Sequence, residues 1–335
     1  MLQDVALLFA ALLVILAAAE LFTNGIEWLG HKLNLSEGVV GSVLAAVGTA
    51  LPETLIPIVA VTTGTGSEFH DIGIGAIAGA PFMLTTLTMS VCGIAIWIFT
   101  NSKRRKGDLN LNRAVLSRDL SFFIVAYSIS LLATLLTDVL IARQAIAVGM
   151  IFIYLYYLKL TFAHEGEAGE APEHLHFERF FKLHINMFVI VTQALLGLAG
   201  IVWGASVFVD RVHVIAHAVH VPSVILPMII APIATELPDK CTSVLWVRHR
   251  KDTLALGNIT GALVFQSCFP VAFGVAFTKW QLGPGTIVSG IVAIFCAAIY
   301  LYLIKTDKLK FPHMVSGIIF YSGVVGWLLY THLTD

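Results

Sequence analysis

The chain has 335 residues, 58% of them hydrophobic and 12% charged, with a net charge of −1 and a mean hydropathy of +0.87. A soluble globular chain carries about 25% charged residues, so a water-soluble domain is excluded, and the balanced charge leaves no basic footprint for nucleic acid. What remains is an all-α polytopic membrane protein, because the apolar runs are continuous, whereas barrel strands alternate over about ten residues.

Ten apolar spans are expected, in two sets of five. The first, residues 3–27, follows MLQD; with no basic stretch ahead of it, it reads as a retained helix rather than a cleaved leader. The second, 38–62, holds AVGTALPETLIPI, Ala46 to Ile58, in which Glu53 stands beside Pro52 in an otherwise apolar run. The third, 71–99, opens with DIGIGAIAGAPF, where Gly75 and Gly79 have the GxxxG spacing of close helix packing and let spans 3 and 8 press against spans 2 and 7. A basic connector, Asn101 to Arg118, leads to spans at 120–136 and 139–163. The connector 164–184 holds His164, His174, His176 and His184 among glutamates; it reads as a solvated flexible loop, or as a weak cytoplasmic metal or pH sensor. Span six, 185–210, is followed by His213, His217 and His220 at i, i+4 and i+7, which read either as part of an interfacial helix or as a metal-binding face. Span seven, 218–247, holds APIATELPDKCTSVLW, Ala231 to Trp246, and the last three spans fall at 253–278, 284–304 and 313–332. Cys92, Cys241, Cys268 and Cys296 form no CxxC pair, so neither a disulfide framework nor a zinc site is expected of them.

Basic residues set the orientation. Alternate connectors place fifteen Lys and Arg, from Lys32 to Lys310, on one side and only Arg143, Arg211 and Lys279 on the other. Positive loops stay in the cytoplasm, so both termini are expected outside, in the cell (inner) membrane.

The two Pro-acid segments are one motif used twice. A shift of 186 residues lays Thr49 on Thr235, Pro52 on Pro238, Glu53 on Asp239 and His31 on His217. After a four-residue deletion, Gly75 and Gly79 meet Gly257 and Gly261. The chain divides into a first five-helix repeat at 1–163, the connector 164–184, and a second repeat at 185–335, with the motif regions at about 38–99 and 222–278. Five is odd, so the second repeat is inverted relative to the first, a transporter pattern that puts a substrate site near the midplane.

A carboxylate at the bilayer centre costs about 2.5–3.5 kcal/mol on insertion scales and is kept where it faces a polar cavity or an ion. A proline removes an N–H and frees the carbonyl one turn back, and unwound backbone at that depth belongs to a cavity wall. Two inverted copies bring together carboxylates, hydroxyls and carbonyls, an all-oxygen anionic cage suited to a hard divalent cation such as Ca²⁺. Glu20 in the first span reads as the partner of a polar group rather than a ligand.

At these residues the chain resembles the calcium/cation antiporter superfamily, which includes the sodium/calcium exchangers. VGTALPE and ATELPD, each followed by a GxxxG helix, look like the family's alpha repeats, and the resemblance covers essentially the whole chain. It implies that Glu53 and Asp239 are the central ligands for Ca²⁺ and Na⁺, with Thr49 and Thr235 beside them. It also implies transported cations as substrates and no cofactor. The family's G-T-S-L-P-E has Ala50 and Glu236 at its serine, and of the asparagines of G-N-x-x-G-S-N only Asn258 is present. The polar position five residues past the second glycine is Leu84 in one half and Gln266 in the other. The candidate ligand set is therefore Glu53, Asp239, Thr49, Thr235, Glu236, Asn258 and Gln266. Lys240 either neutralises Asp239 or Glu236 or snorkels. With several oxygen donors missing, Na⁺ and H⁺ both stand as counter-ions for a secondary antiporter of Ca²⁺ or a similar divalent cation. A passive cation channel and an intramembrane enzyme are the readings from other classes. The chain has no HExxH and no nucleophile–base pair for the latter. The partners expected are small inorganic cations and the lipid bilayer.

Overall fold

The structure is a computed structural model. It describes residues 2–33, 50–64, 66–103, 105, 109–136, 138–162, 174–182, 184–219, 227–229, 243–244, 246–248, 250 and 252–334.

Among these, eight helical segments are long and apolar enough to cross a membrane, with a shorter apolar helix at Leu51–Thr63. In chain order they are α1 (Leu2–Lys32), α2 (Leu51–Thr63), α3 (Ser67–Met83) running through a wide turn at Leu84–Thr88 into α4 (Met89–Asn101), α5 (Arg113–Ala133) and α6 (Leu140–Phe162). A short α7 (His176–Phe181) leads to α8 (Met187–Val219), α9 (Asp252–Phe277), α10 (Pro284–Lys305), α11 (Phe311–Val315) and α12 (Gly317–Thr334). The expected seventh span lies almost wholly outside the described residues, as does the first part of the second.

Burial separates a centre from a periphery. The span through α3 and α4 is 67% buried and that of α9 is 78% buried, whereas the other six range from 22% to 39%. The central pair are the two helices that carry the GxxxG glycines. Peripheral helices turn large apolar side chains outward, Leu13 on α1, Ile141 on α6 and Phe188 on α8 among them, the composition that a lipid environment favours. The chain is an integral membrane protein.

Two long helices form a pair on one flank. α1 and α8 have 31 and 33 residues, about 45–50 Å at 1.5 Å per residue and longer than the hydrocarbon layer. They pack along their lengths because small residues face each other: a Cβ on Gly197 would lie 2.6 Å from the Phe22 nitrogen, and one on Gly200 would lie 2.8 Å from the Ala18 Cβ. This pair, α2 and the start of α3 bury one apolar cluster that includes Ile15, Ile56, Ile72 and Phe208. A larger cluster joins α3 to α6, α9, α10 and α12.

Three expectations are corrected. His213 and His217 lie not on a separate interfacial helix but in the last turns of α8, and α1 likewise continues past residue 27 to Lys32. The fourth span begins at Arg113, so Arg113 and Arg118 belong to the first turns of α5 rather than to a loop. Within the connector, residues 174–182 are docked rather than loose. Leu175 is buried against Val189 and Ile190 with Trp28 and Leu29 around it. Gln193 donates to Asn24 Oδ1 at 2.9 Å, and the Phe177 N–H donates to Gln193 Oε1 at 2.8 Å.

Candidate functional site

Glu53 lies in the first turn of α2, after Ala50 at the helix start, and is 5% exposed. Pro52 occupies the first turn of α2, where its missing N–H has no acceptor within that helix, and the carbonyl one turn back, that of Gly48, lies outside the described residues. A second proline stands one turn later. Pro57, inside α2, has no N–H to offer the Glu53 carbonyl four residues back. The sequence LPETLIP shows this second proline, and its effect on Glu53 follows from the i to i−4 ladder. A carboxylate in a first helical turn also faces the positive end of the helix dipole.

α9 packs against both α2 and α3. It carries Asn258, whose amide nitrogen donates to Ser243 Oγ at 3.4 Å. Ser243 is fully buried and stands four residues beyond Asp239 in the chain. Two turns further along α9, Gln266 is 2% exposed, and Pro270 again denies an N–H to the carbonyl four residues back, that of Gln266. Of the candidate ligands, Glu53, Asn258 and Gln266 thus sit on the α2–α9 pair. Thr49, Thr235, Glu236 and Asp239, with Lys240, lie outside the described residues.

The other half of the centre is the wide turn at Leu84–Thr88, where the α-helix slips to i to i+5 spacing between α3 and α4. Such turns arise in many functional helices because they re-aim side chains and carbonyls. Leu84 itself is buried, as are Thr85, Thr86 and Thr88 around it. Thr85 and Thr86 return their hydroxyls to carbonyls of the preceding turn, at Pro81 and Phe82. Gly79, one turn before, admits backbone from the other half: a Cβ there would stand 2.1 Å from the Met228 carbonyl oxygen. Of the contacts expected of these glycines between spans 3 and 8 and spans 2 and 7, the described residues contain this one, between the third span and the seventh. On the second GxxxG, nothing described lies within 4 Å of a Gly257 Cβ, and only the Tyr157 hydroxyl, at 3.8 Å, approaches one on Gly261.

Three further charged clusters lie outside the candidate ligand set, and of their members only His213 and His217 were singled out from the sequence. Asp119 on α5 is 2% exposed; it accepts from Thr260 of α9 at 2.8 Å and from Arg118 at 3.1 and 3.2 Å. The Arg118 guanidinium lies over the Tyr157 ring of α6 at 5.3 Å, so one polar knot joins three helices. Arg105 and Asp252 form a buried ion pair between the basic connector and the start of α9. Glu68 at the start of α3 meets His213 and His217 of α8. Asp119 was legible as an acid at the edge of an apolar run, whereas the other two depend on pairing across more than a hundred residues. Glu20 faces His176 Nε2 at 3.3 Å and is largely exposed.

The family model described as sodium/calcium exchanger protein matches residues 4–164 and 189–330. Inner membrane protein YrbG of Escherichia coli is 22% identical over 334 residues, covering 98% of this chain and 96% of that protein. Among solved structures, the H⁺/Ca²⁺ exchanger CAX superposes with a TM-score of 0.77 at 14% identity, covering 99% of this chain and 86% of that one. The sodium-calcium exchanger NCX_Mj superposes with a TM-score of 0.61 at 18% identity, covering 97% of this chain and 98% of that one.

Proposed function

Because the chain belongs to the sodium/calcium exchanger protein family, we propose that it is a secondary antiporter that exchanges Ca²⁺, or a similar divalent cation, for Na⁺ or H⁺ by alternating access. The observation that carries this is Glu53: a carboxylate 5% exposed in the first turn of an apolar helix, packed against α9, the most buried of the described spans. Its repeat equivalent is Asp239, and the two supply the charge that a divalent ion needs. Thr49, Thr235, Glu236, Asn258 and Gln266 complete an oxygen-rich ligand set. The cations are cargo, and no cofactor is implied.

Ten membrane helices in two inverted repeats, 1–163 and 185–335 with the connector 164–184 between, are supported by the pattern of packing. α5 packs on α9, and α10 packs on α3; under exchange of the halves these become the same contact. Likewise α6 packs on α9, while α12 packs on the wide turn between α3 and α4. The distribution of basic residues among the connectors supports a cytoplasmic Arg105–Asp252 end and both termini outside, in the cell membrane.

The residue chemistry favours H⁺ over Na⁺ as counter-ion. Ala50, Ala80, Leu84 and Ala262 stand where the family's oxygen donors would coordinate sodium, whereas a proton needs only a carboxylate oxygen. Reconstitution into proteoliposomes decides it, with calcium-45 uptake followed under Na⁺, K⁺ or H⁺ gradients imposed one at a time. Uptake driven by an opposing proton gradient is the expected result. Uptake with no dependence on any opposing gradient would mark a channel.

A further inference from the structure

A second cluster of ligand-bearing side chains lies away from the carboxylate of α2. His213 and His217 are one turn apart on α8, so their rings project from one face of the helix. Both aim Nε2 at the same atom: Glu68 Oε2 on α3 is 2.8 Å from His213 Nε2 and 2.5 Å from His217 Nε2. One ligand atom from each of the three residues lies within 4.8 Å of the others. The first imidazole is held by packing. Phe69 stacks on His213 with centroids 4.7 Å apart and planes 15° apart, and the His217 ring meets His213 edge-on at 4.7 Å. Phe69 is itself pressed against Gly64, where a Cβ would stand 2.2 Å from its ring.

We infer that Glu68, His213 and His217 form a binding site for a late first-row divalent cation, Zn²⁺ being its representative, separate from the site of the transported ion. Two imidazole nitrogens and one carboxylate oxygen are a ligand set that zinc takes in three-residue sites, with water in the fourth position. Metal–ligand bonds of about 2.0–2.1 Å at tetrahedral angles put ligand atoms about 3.4 Å apart. Here the carboxylate oxygen stands closer than that to both nitrogens, at 2.8 and 2.5 Å, and all three atoms lie within 4.8 Å of one another, so admitting the ion requires the carboxylate to move outward. The donor set also sorts the ion. Imidazole suits zinc, nickel and copper, whereas the oxygen-only cage proposed around Glu53 suits calcium. Two neutral imidazoles with one carboxylate carry a single negative charge, which a divalent ion more than balances. The half-exposed edge of the cluster, with His217 57% and Glu68 45% exposed at the side chain, leaves an entry path for a hydrated ion. An ion held there ties the end of α8, one of the two long flanking helices, to the start of α3, one of the two central ones. By the distribution of basic residues this junction faces the outside.

The test uses the full-length protein in detergent, with melting temperature and calorimetric titration read against ZnCl₂ and MgCl₂. Zinc should bind with one ion per chain lost in His217→Asn, and should raise the melting temperature of the wild-type protein where magnesium does not. His217 is exposed enough that His217→Asn should fold normally, and His213→Asn and Glu68→Gln then serve as second and third probes. Glu53→Gln should keep the full zinc-induced rise, whatever its effect on calcium, so this result and the transport reading fail separately. The proposal is overturned if zinc produces no rise in the wild-type protein, or if the rise survives in His213→Asn/His217→Asn. It is equally overturned if the rise is abolished by Glu53→Gln, which would place zinc in the transport site, or by His174→Asn/His176→Asn, which would place it on the connector.

Discussion

Arg105 and Asp252 stand 147 residues apart in sequence and face each other fork to fork in the structure, with both guanidinium ends engaged by both carboxylate oxygens. Their side chains are 0% and 1% exposed. The Asn110 N–H donates to Asp252 at 2.8 Å, and the guanidinium also reaches the Val247 carbonyl at 3.0 Å. The pair therefore ties the basic connector of the first half to the start of the central helix of the second.

Breaking this pair from one side should be costly. Removing one member of a buried ion pair costs roughly 3–5 kcal/mol because the other charge stays buried without its counterpart. Asp252→Ala and Arg105→Ala should each lower the melting temperature in detergent sharply. The double replacement should fall by much less than the sum of the two, since neither charge is then stranded. Additive losses would mean that the two groups act independently.

Gly79 makes a different kind of contact between the halves. The Met228 backbone leaves no room for a Cβ, at 2.1 Å. Gly79→Ala should therefore impair assembly or transport. Wild-type assembly and transport in Gly79→Ala would contradict the close approach at that position.

What the sequence disclosed follows the range of each interaction. Helices were legible because their apolar runs are long and local; their ends were not, because Arg113 and His217 extend a helix with residues that look like loop. Glu53 was legible because a carboxylate in an apolar run has few reasons to be there. The role of Pro57 was hidden behind the more conspicuous Pro52. The threonines of the wide turn at 84–88 carry no signal, since Thr85 and Thr86 resemble any apolar-helix threonine until the backbone shows the slipped spacing. Arg105–Asp252 and Glu68–His213 depend on the tertiary arrangement, which residue type and spacing do not encode.

The expected topology can be checked by chemical labelling. Cys92, Cys268 and Cys296 are free and buried; all four native cysteines should be replaced. Single cysteines at Ser102, exposed at the end of α4, and at Gly166 in the connector should then resist an impermeant thiol reagent added to intact cells. They should react after the membrane is opened. Labelling of either in intact cells would invert the orientation drawn from the basic residues.

The last expectation concerns the transported ion. On the proposed reading Glu53 and Asp239 share a cavity of low dielectric, where two like charges repel. A divalent cation between them removes the repulsion and balances both charges. Glu53→Gln and Asp239→Asn preserve size and delete one charge each. Either should abolish divalent transport while leaving the fold intact, because an amide is less costly to bury than a carboxylate. Without cation, melting temperatures should equal or exceed that of the wild-type protein. With Ca²⁺ added, the stabilisation seen in the wild-type protein should disappear, since binding to the native state is what raises it. Glu20→Gln is the matched control: Glu20 is 70% exposed at the side chain and engages His176, so the calcium-dependent rise should persist. If Ca²⁺ stabilises Glu53→Gln and Asp239→Asn as fully as the wild-type protein, the cation binds elsewhere.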